Sequence, residues 1–178
     1  MSVQFRDVAD DEIPELAAVA KRIWDDYFPP LIGQAQVDYM VERFQSAGAI
    51  ADQRAEGVRY VWIDALYEVG SAPMGYLAYR HEPAAGALFV SKFYLEPRAR
   101  RKGVGWGAQR RLEEEAARLG ARSLRLTVNR ENQGAVAAYK NWGYVIVKEQ
   151  VVDIGGGFVM DDYVMEKKLA DPDDRGGE

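Results

Sequence analysis

The sequence predicts one α/β (α+β) domain, built on a mixed, mostly antiparallel sheet of about seven strands flanked by helices. Three observations predict it. Three β-branched and aromatic runs between Val58 and Leu95 are joined by turns too short for parallel crossovers, so they read as an antiparallel meander. From Gly103 the pattern changes to helix, strand, helix and two further strands. A length of 178 residues fits a single domain able to bury roughly 70% of the surface of its unfolded chain.

The elements follow in order. Val3–Arg6 alternates and reads as a first strand. Asp10 and Asp11 are candidate caps for a helix whose apolar residues Ile13, Leu16, Ala17, Ala20, Ile23, Trp24 and Tyr27 recur at three and four positions. Pro29-Pro30 stops it. A second helix follows Gly33, with Val37, Met40, Val41 and Phe44 on one face, and Ser46 caps a shorter piece ending near Gly57. Strands are expected at residues 58–66, 74–80 and 88–95, with turns at 70–73 and 82–86. Residues 103–119 are helical through Val104, Ala108, Leu112, Ala116 and Leu119, and Gly120 stops them. Residues 123–128 form a strand. Asn132 caps a helix carrying Ala135, Ala138, Tyr139 and Trp142, ended by Gly143. Residues 144–154 and 158–169 are the last strands, around Gly155-Gly156-Gly157. One domain spans 1–169, and the polar tail 170–178 is expected to be disordered.

Composition narrows the function. Hydrophobic residues make up 48% and charged residues 29%, the balance of a soluble globular chain. No apolar run approaches the roughly 20 residues that span a bilayer, and the N-terminus has no secretory pattern, so a cytoplasmic protein without membrane contact is expected. The absence of cysteine excludes disulfides, thiolate metal sites and a cysteine nucleophile, and with His81 as sole histidine no metal site is expected. A net charge of −5 argues against a nucleic-acid partner.

The densest positive cluster, Arg98, Arg100, Arg101 and Lys102, runs into Gly103-Val104-Gly105, between a strand and a helix. Glycines let backbone N–H groups approach a ligand, and a helix N-terminus favours phosphate. The alternative is a solvated basic turn. A Walker loop is excluded because no lysine follows the second glycine. Gly103, Gly105 and Ala108 fit a dinucleotide fingerprint formally. Two features oppose an NAD-binding oxidoreductase: the loop follows an antiparallel meander instead of opening a parallel βαβ unit, and the next strand ends in Val128-Asn129 without an acidic residue.

Arg100, Gly103 and Gly105 match the signature [Q/R]-x-x-G-x-[G/A]. Downstream come Asn129-Arg130-Glu131-Asn132, Ala135, Ala138-Tyr139 and Trp142-Gly143-Tyr144. In this order the chain resembles the GNAT superfamily of N-acetyltransferases over nearly all of Val3–Leu169. The resemblance implies an acyl-CoA-dependent N-acetyltransferase, with acetyl-CoA as cofactor and CoA as product. It implies that the fourth and fifth strands splay apart around the cofactor. The backbone of Phe93, Tyr94 and Leu95 would pair with the pantetheine arm. Arg100, Arg101, Lys102, Gly103, Val104 and Gly105, with Trp106, would hold the pyrophosphate. Asn132 would contact pantetheine, serve as a plain N-cap, or do both. Tyr139 would protonate the departing thiolate, a phenol having a pKa near 10. Read without the family, Tyr139 is a core aromatic beside Ala135 and Trp142.

The acceptor stays open: a primary amine of a small molecule, a polyamine or a peptide. The resemblance places it between the N-terminal helices and the sheet, where Trp24, Tyr27, Tyr39 and Tyr60 line a pocket, or are ordinary core aromatics, and Asp25 or Asp26 attracts a cation. The general base is unassigned, because residues 88–95 contain no carboxylate; Glu68, Glu82 and an ordered water are candidates. Lys92 reads as an exposed strand residue and His81, at a strand end, as a surface or turn residue. A non-catalytic CoA-binding or sensor module is the rival from another class, and a homodimer stays open.

Overall fold

The computed structural model describes residues 2–170, so the expected tail lies outside the described residues from position 171 onward. Among them are seven strands: β1 (Ser2–Asp7), β2 (Arg59–Leu66), β3 (Ser71–Glu82), β4 (Ala87–Leu95), β5 (Ser123–Asn129), β6 (Val145–Gly155) and β7 (Phe158–Lys168). The helices are α1 (Ile13–Tyr27), α2 (Pro29–Ile32), α3 (Gln34–Gln45), α4 (Ala47–Ala55), α5 (Val104–Arg118) and α6 (Gln133–Asn141). The strands form one sheet in the order β1-β2-β3-β4-β5-β7-β6. The β1–β2, β5–β7 and β6–β7 pairs are antiparallel, and β4–β5 is parallel. The expected mixed, mostly antiparallel seven-stranded sheet is therefore observed. No helix among the described residues is long and apolar enough to cross a membrane.

Local differences from the sequence reading have local causes. Asp10 and Asp11 do not cap α1. They lie in a 3-10 turn, Asp10–Glu12, which the Glu12 carboxylate caps by accepting from the Ala9 amide at 2.8 Å; α1 itself has no side-chain cap. α1 ends at Tyr27 with Phe28 as its C-cap, directly before Pro29-Pro30 as expected, and the two prolines also form the first turn of α2, where a missing N–H costs little. β3 begins at Ser71, inside the expected turn, and continues to Glu82.

The chain divides into two compact units. The first holds the chain up to Ala78 and Lys92–Gly105. Its core joins Leu16, Val19, Ala20 and Ile23 of α1 to Ile50 of α4, Tyr60 and Trp62 of β2, and Tyr76 and Ala78 of β3. Burying each large side chain contributes about 1.5–3 kcal/mol, and truncating Leu16 to Ala is expected to cost roughly 2–5 kcal/mol. Buried Asp64 is paired by Arg6 at 2.6 Å, and Arg6 also reaches Glu12 at 2.7 Å and lies over the Trp62 ring. At Gly75 a Cβ would overlap the Tyr94 carbonyl, so only glycine allows this approach of the chain to the end of β4.

The second unit holds Tyr79–Ser91 and the described chain from Trp106. Leu88 and Val90 of β4, Ala108, Leu112 and Ala116 of α5, Leu124 and Leu126 of β5, and Met165 of β7 are buried there. The β4–β5 ladder is short, running from Ala87↔Ser123 to Val90↔Leu126, whereas β5 stays registered with β7 through Asn129.

Candidate functional site

At the end of β4 the Glu96 amide donates to Met74 O at 2.8 Å, and a 3-10 turn, Pro97–Ala99, follows. Ala99 is buried and anchors the turn. Arg100 Nε donates to Leu95 O at 3.1 Å; its guanidinium lies 4.7 Å from the centre of the Tyr27 ring and 3.6 Å from Asp26 Oδ2. This arginine is thus tied to the C-terminal turn of α1. Arg101 and Lys102 are exposed. Arg101 (φ 60°) and Gly103 (φ 79°) both occupy the left-handed region. Glycine adopts it freely, whereas for arginine it costs about 1–2 kcal/mol, and alternating backbone handedness turns N–H groups into a concave anion nest. Helix α5 starts at Val104, and its first turn contains no acidic residue of its own to offset the positive end of the dipole. Its first four N–H groups lack intrahelical partners. A Cβ built at Gly103 meets nothing within 4 Å, so the loop is open on that side. Exposed cations, a nest and a helix N-terminus are a donor set suited to a phosphate or pyrophosphate.

The basic loop departs from one expectation set against a dinucleotide fingerprint. The loop does open a parallel unit, because β4 and β5 are parallel neighbours with α5 between them in sequence. The other objection stands: β5 ends at Asn129, which accepts from the Glu131 amide at 2.9 Å, and offers no carboxylate to a ribose.

Phe93, Tyr94 and Leu95 are half-buried. The Tyr94 ring meets Trp24, Phe28 and Tyr76 at centroid distances of 5.6, 6.1 and 5.5 Å. Trp24 and Tyr60 are buried members of the first unit's interior, whereas Tyr27 and Tyr39 are half-buried, Tyr39 accepting from Arg43 at 2.8 Å. Asp25 is engaged by Lys21 and Gln34, and Asp26 faces Arg100. Glu82 pairs with Arg80, and Glu68 is exposed.

Lys92 corrects the sequence reading. It is not an exposed strand residue; it retains 6% of its exposure. Its Nζ donates to Phe44 O at 2.9 Å and Gln53 Oε1 at 2.7 Å, and lies 5.5 Å from the centre of the Tyr60 ring. Tyr60 donates to the same Gln53 oxygen at 2.7 Å, and Tyr76 donates to buried Gln45 at 2.9 Å. Burial without a compensating carboxylate pushes the Lys92 amine down to about 7. Burial also raises the Tyr60 and Tyr76 phenols, so both stay neutral donors. Sequence periodicity could not find this cluster. Its acceptors are a main-chain carbonyl at the end of α3 and a glutamine on α4, neither of which carries a motif.

In the second unit, Asn132 is buried and its side chain accepts from the Ala135 amide at 3.2 Å, the N-cap of α6. Half-buried Tyr139 meets Trp142 edge-on at 5.8 Å and Tyr144 at 5.5 Å. Trp142 lies 6.4 Å from Trp106, which is 46% exposed in the first turns of α5. Tyr144 donates to Gln109 at 3.1 Å, and Gln109 and Lys167 both donate to Glu113, at 2.9 and 2.6 Å. The aromatic row thus ends in a paired polar network at one side and an exposed tryptophan at the other.

Known proteins share this architecture. Among solved structures, the PaiA N-acetyltransferase from Thermoplasma acidophilum in complex with coenzyme A is 19% identical with a TM-score of 0.73, over 95% of this chain and all of that one. A GCN5-related N-acetyltransferase from Rhodopseudomonas palustris is 16% identical with a TM-score of 0.78, over 95% and 97% of the two chains. A ribosomal-protein-alanine N-acetyltransferase from Brucella melitensis is 19% identical with a TM-score of 0.65, over 93% and 99%. At these identities the likeness is one of fold. No curated protein matches the sequence. The acetyltransferase (GNAT) family profile, in contrast, matches residues 18–144, the greater part of the chain, including β4, the basic loop, α5 and α6. The chain belongs to the GNAT family of acetyltransferases.

Proposed function

We propose that this chain is an N-acetyltransferase that moves the acetyl group of acetyl-CoA to a primary amine of a small molecule, polyamine or peptide, by direct attack in a ternary complex. Family membership supports acetyl transfer as the reaction. The observation that carries the assignment to this chain is the basic loop: Arg101 and Gly103 left-handed, Lys102 exposed, and α5 starting at Val104 with no acidic residue in its first turn. In this reading Arg100 to Gly105, with Trp106, hold the pyrophosphate. The edge of Phe93-Tyr94-Leu95 receives the pantetheine arm, and Asn132 faces it. A direct route fits a chain with no cysteine to carry an acyl group. Tyr139 is the acid that protonates the leaving thiolate. The acceptor enters on the side of Trp24, Tyr27 and Tyr60.

The test is a panel of amines, polyamines and peptides with acetyl-CoA, following free thiol. Thiol release that depends on the amine is the expected result. A CoA-induced rise in melting temperature with no thiol release from any amine would make the chain a CoA-binding module instead. Stabilisation by NADH and not by CoA would revive the oxidoreductase reading.

A further inference from the structure

We propose that Lys92, through its buried side-chain amine, is the general base that takes the proton an acceptor ammonium must lose before it attacks. The inference rests on the acetyltransferase reading above. β4 has no carboxylate, and its titratable side chains are Lys92 and Tyr94. Lys92 directly precedes the segment assigned to the pantetheine arm, and its amine lies against Tyr60, an aromatic of the candidate acceptor side.

The hydrogen-bond inventory of the amine supports a base. A charged lysine has three N–H donors; a neutral one has two and a lone pair. Lys92 meets two carbonyl acceptors, Phe44 O and Gln53 Oε1. They satisfy both donors of the neutral amine and leave its lone pair. Its contacts are two carbonyl oxygens, Phe44 O at the end of α3 and Gln53 Oε1 on α4, and the Tyr60 ring of β2; Tyr60 donates to the same Gln53 oxygen, and none of these groups is a carboxylate. Among the described residues Lys92 forms no ion pair with an Asp or Glu. A buried cation without a carboxylate partner is costly, so the neutral form is populated near neutral pH, the condition a general base requires. The value of about 7 agrees.

The step balances. R–NH3+ gives one proton to Lys92 Nζ, and the freed lone pair forms the C–N bond at the thioester carbonyl carbon. The C–S bond breaks, and the thiolate takes a proton through Tyr139. The second proton lost by the nitrogen replaces the one Tyr139 gave. Lys92 then releases its proton to solvent, leaving amide, free thiol and one H+.

The experiment is a pH profile of kcat/KM on the best amine, with CoA affinity measured in parallel. Wild type should show an ascending limb near 7. Lys92→Met should lower kcat by about 10²–10⁴-fold and lose that limb, with CoA affinity changed less than about threefold. Lys92→Arg keeps the charge but cannot release a proton, so it should be equally impaired. Because the chain has no cysteine, Lys92→Cys places a unique thiol, and alkylation with 2-bromoethylamine restores an amine made less basic by the sulfur. That enzyme should regain activity with its limb moved to lower pH, which no packing role predicts. A Lys92→Met enzyme within about twofold of wild type, or an alkylated enzyme whose limb does not move, overturns the proposal and leaves the acetyltransferase reading intact. If Lys92→Met does not fold, the alkylated enzyme decides. CoA binding with no turnover of any amine by wild type overturns both readings.

Discussion

Lys92 and Lys102 lie close in sequence within the first unit, and neither has a carboxylate partner among the described residues. Lys102 is exposed at the tip of the basic loop, where water carries its charge. Lys92 has been drawn under α3 and α4, where two carbonyls and an aromatic face replace water. Burial without a carboxylate pushes the Lys92 amine down to about 7, because solvation of the charged form dominates the balance. The second unit holds two neighbouring phenols that differ in burial. Tyr144 is buried, donates to Gln109 and is raised by desolvation, whereas Tyr139 is half-buried.

The largest expected effect is on stability against pH. Folded Lys92 titrates at about 7, and its ordinary value is 10.5. Between these values the unfolded chain binds more protons, so stability rises with pH by up to about 1.4 kcal/mol per unit. Below about 7 the penalty is fully present and no longer changes. Denaturant unfolding at several pH values between these limits should show the rise, and Lys92→Met should flatten it. An equal slope in the variant would mean that Lys92 is hydrated and the contrast with Lys102 is false.

At the loop, a hundredfold excess of CoA over its Kd should stabilise the protein by about 2.7 kcal/mol. Gly105→Asp adds bulk and negative charge at the start of α5, and should abolish the shift in melting temperature. A shift that survives would separate the loop from the ligand.

Tyr139→Phe removes one oxygen and leaves the edge-on contacts with Trp142 and Tyr144, so the fold should persist. As general acid its loss should lower kcat by about a hundredfold, the lower end for such groups, since water can also protonate a thiolate. CoA affinity should change less than about tenfold. Unaltered kcat with a rate-limiting chemical step would leave Tyr139 as packing. The same substitution at Tyr144 should act on stability instead, because Gln109 then loses a buried partner, at about 1–3 kcal/mol.

Lys102→Ala should have the smallest effect, weakening CoA by about tenfold or less at low salt. The loss should shrink as salt rises, since an exposed charge is screened. A salt-independent loss would mean that Lys102 is buried against the ligand, in contrast to its exposed position in the loop.

The sequence alone was enough for much of this protein. The seven strands, the amphipathic helices and the basic glycine loop are local patterns: period-two and period-3.6 hydrophobicity, and turn residues at fixed spacing. The Asn132 cap was legible for the same reason, since its partner lies three residues on. Tertiary structure decided whatever depended on partners distant in sequence. The parallel β4–β5 pairing is invisible in the strands themselves, because a strand's residues do not encode its neighbour's direction. The role of Glu12 in capping depended on the turn before α1. The charge state of Lys92 depended on Phe44 and Gln53, which only the packing of α3 and α4 brings to β4. A residue's type sets which charge it can carry; its burial sets whether that charge survives, and burial is a property of the folded chain.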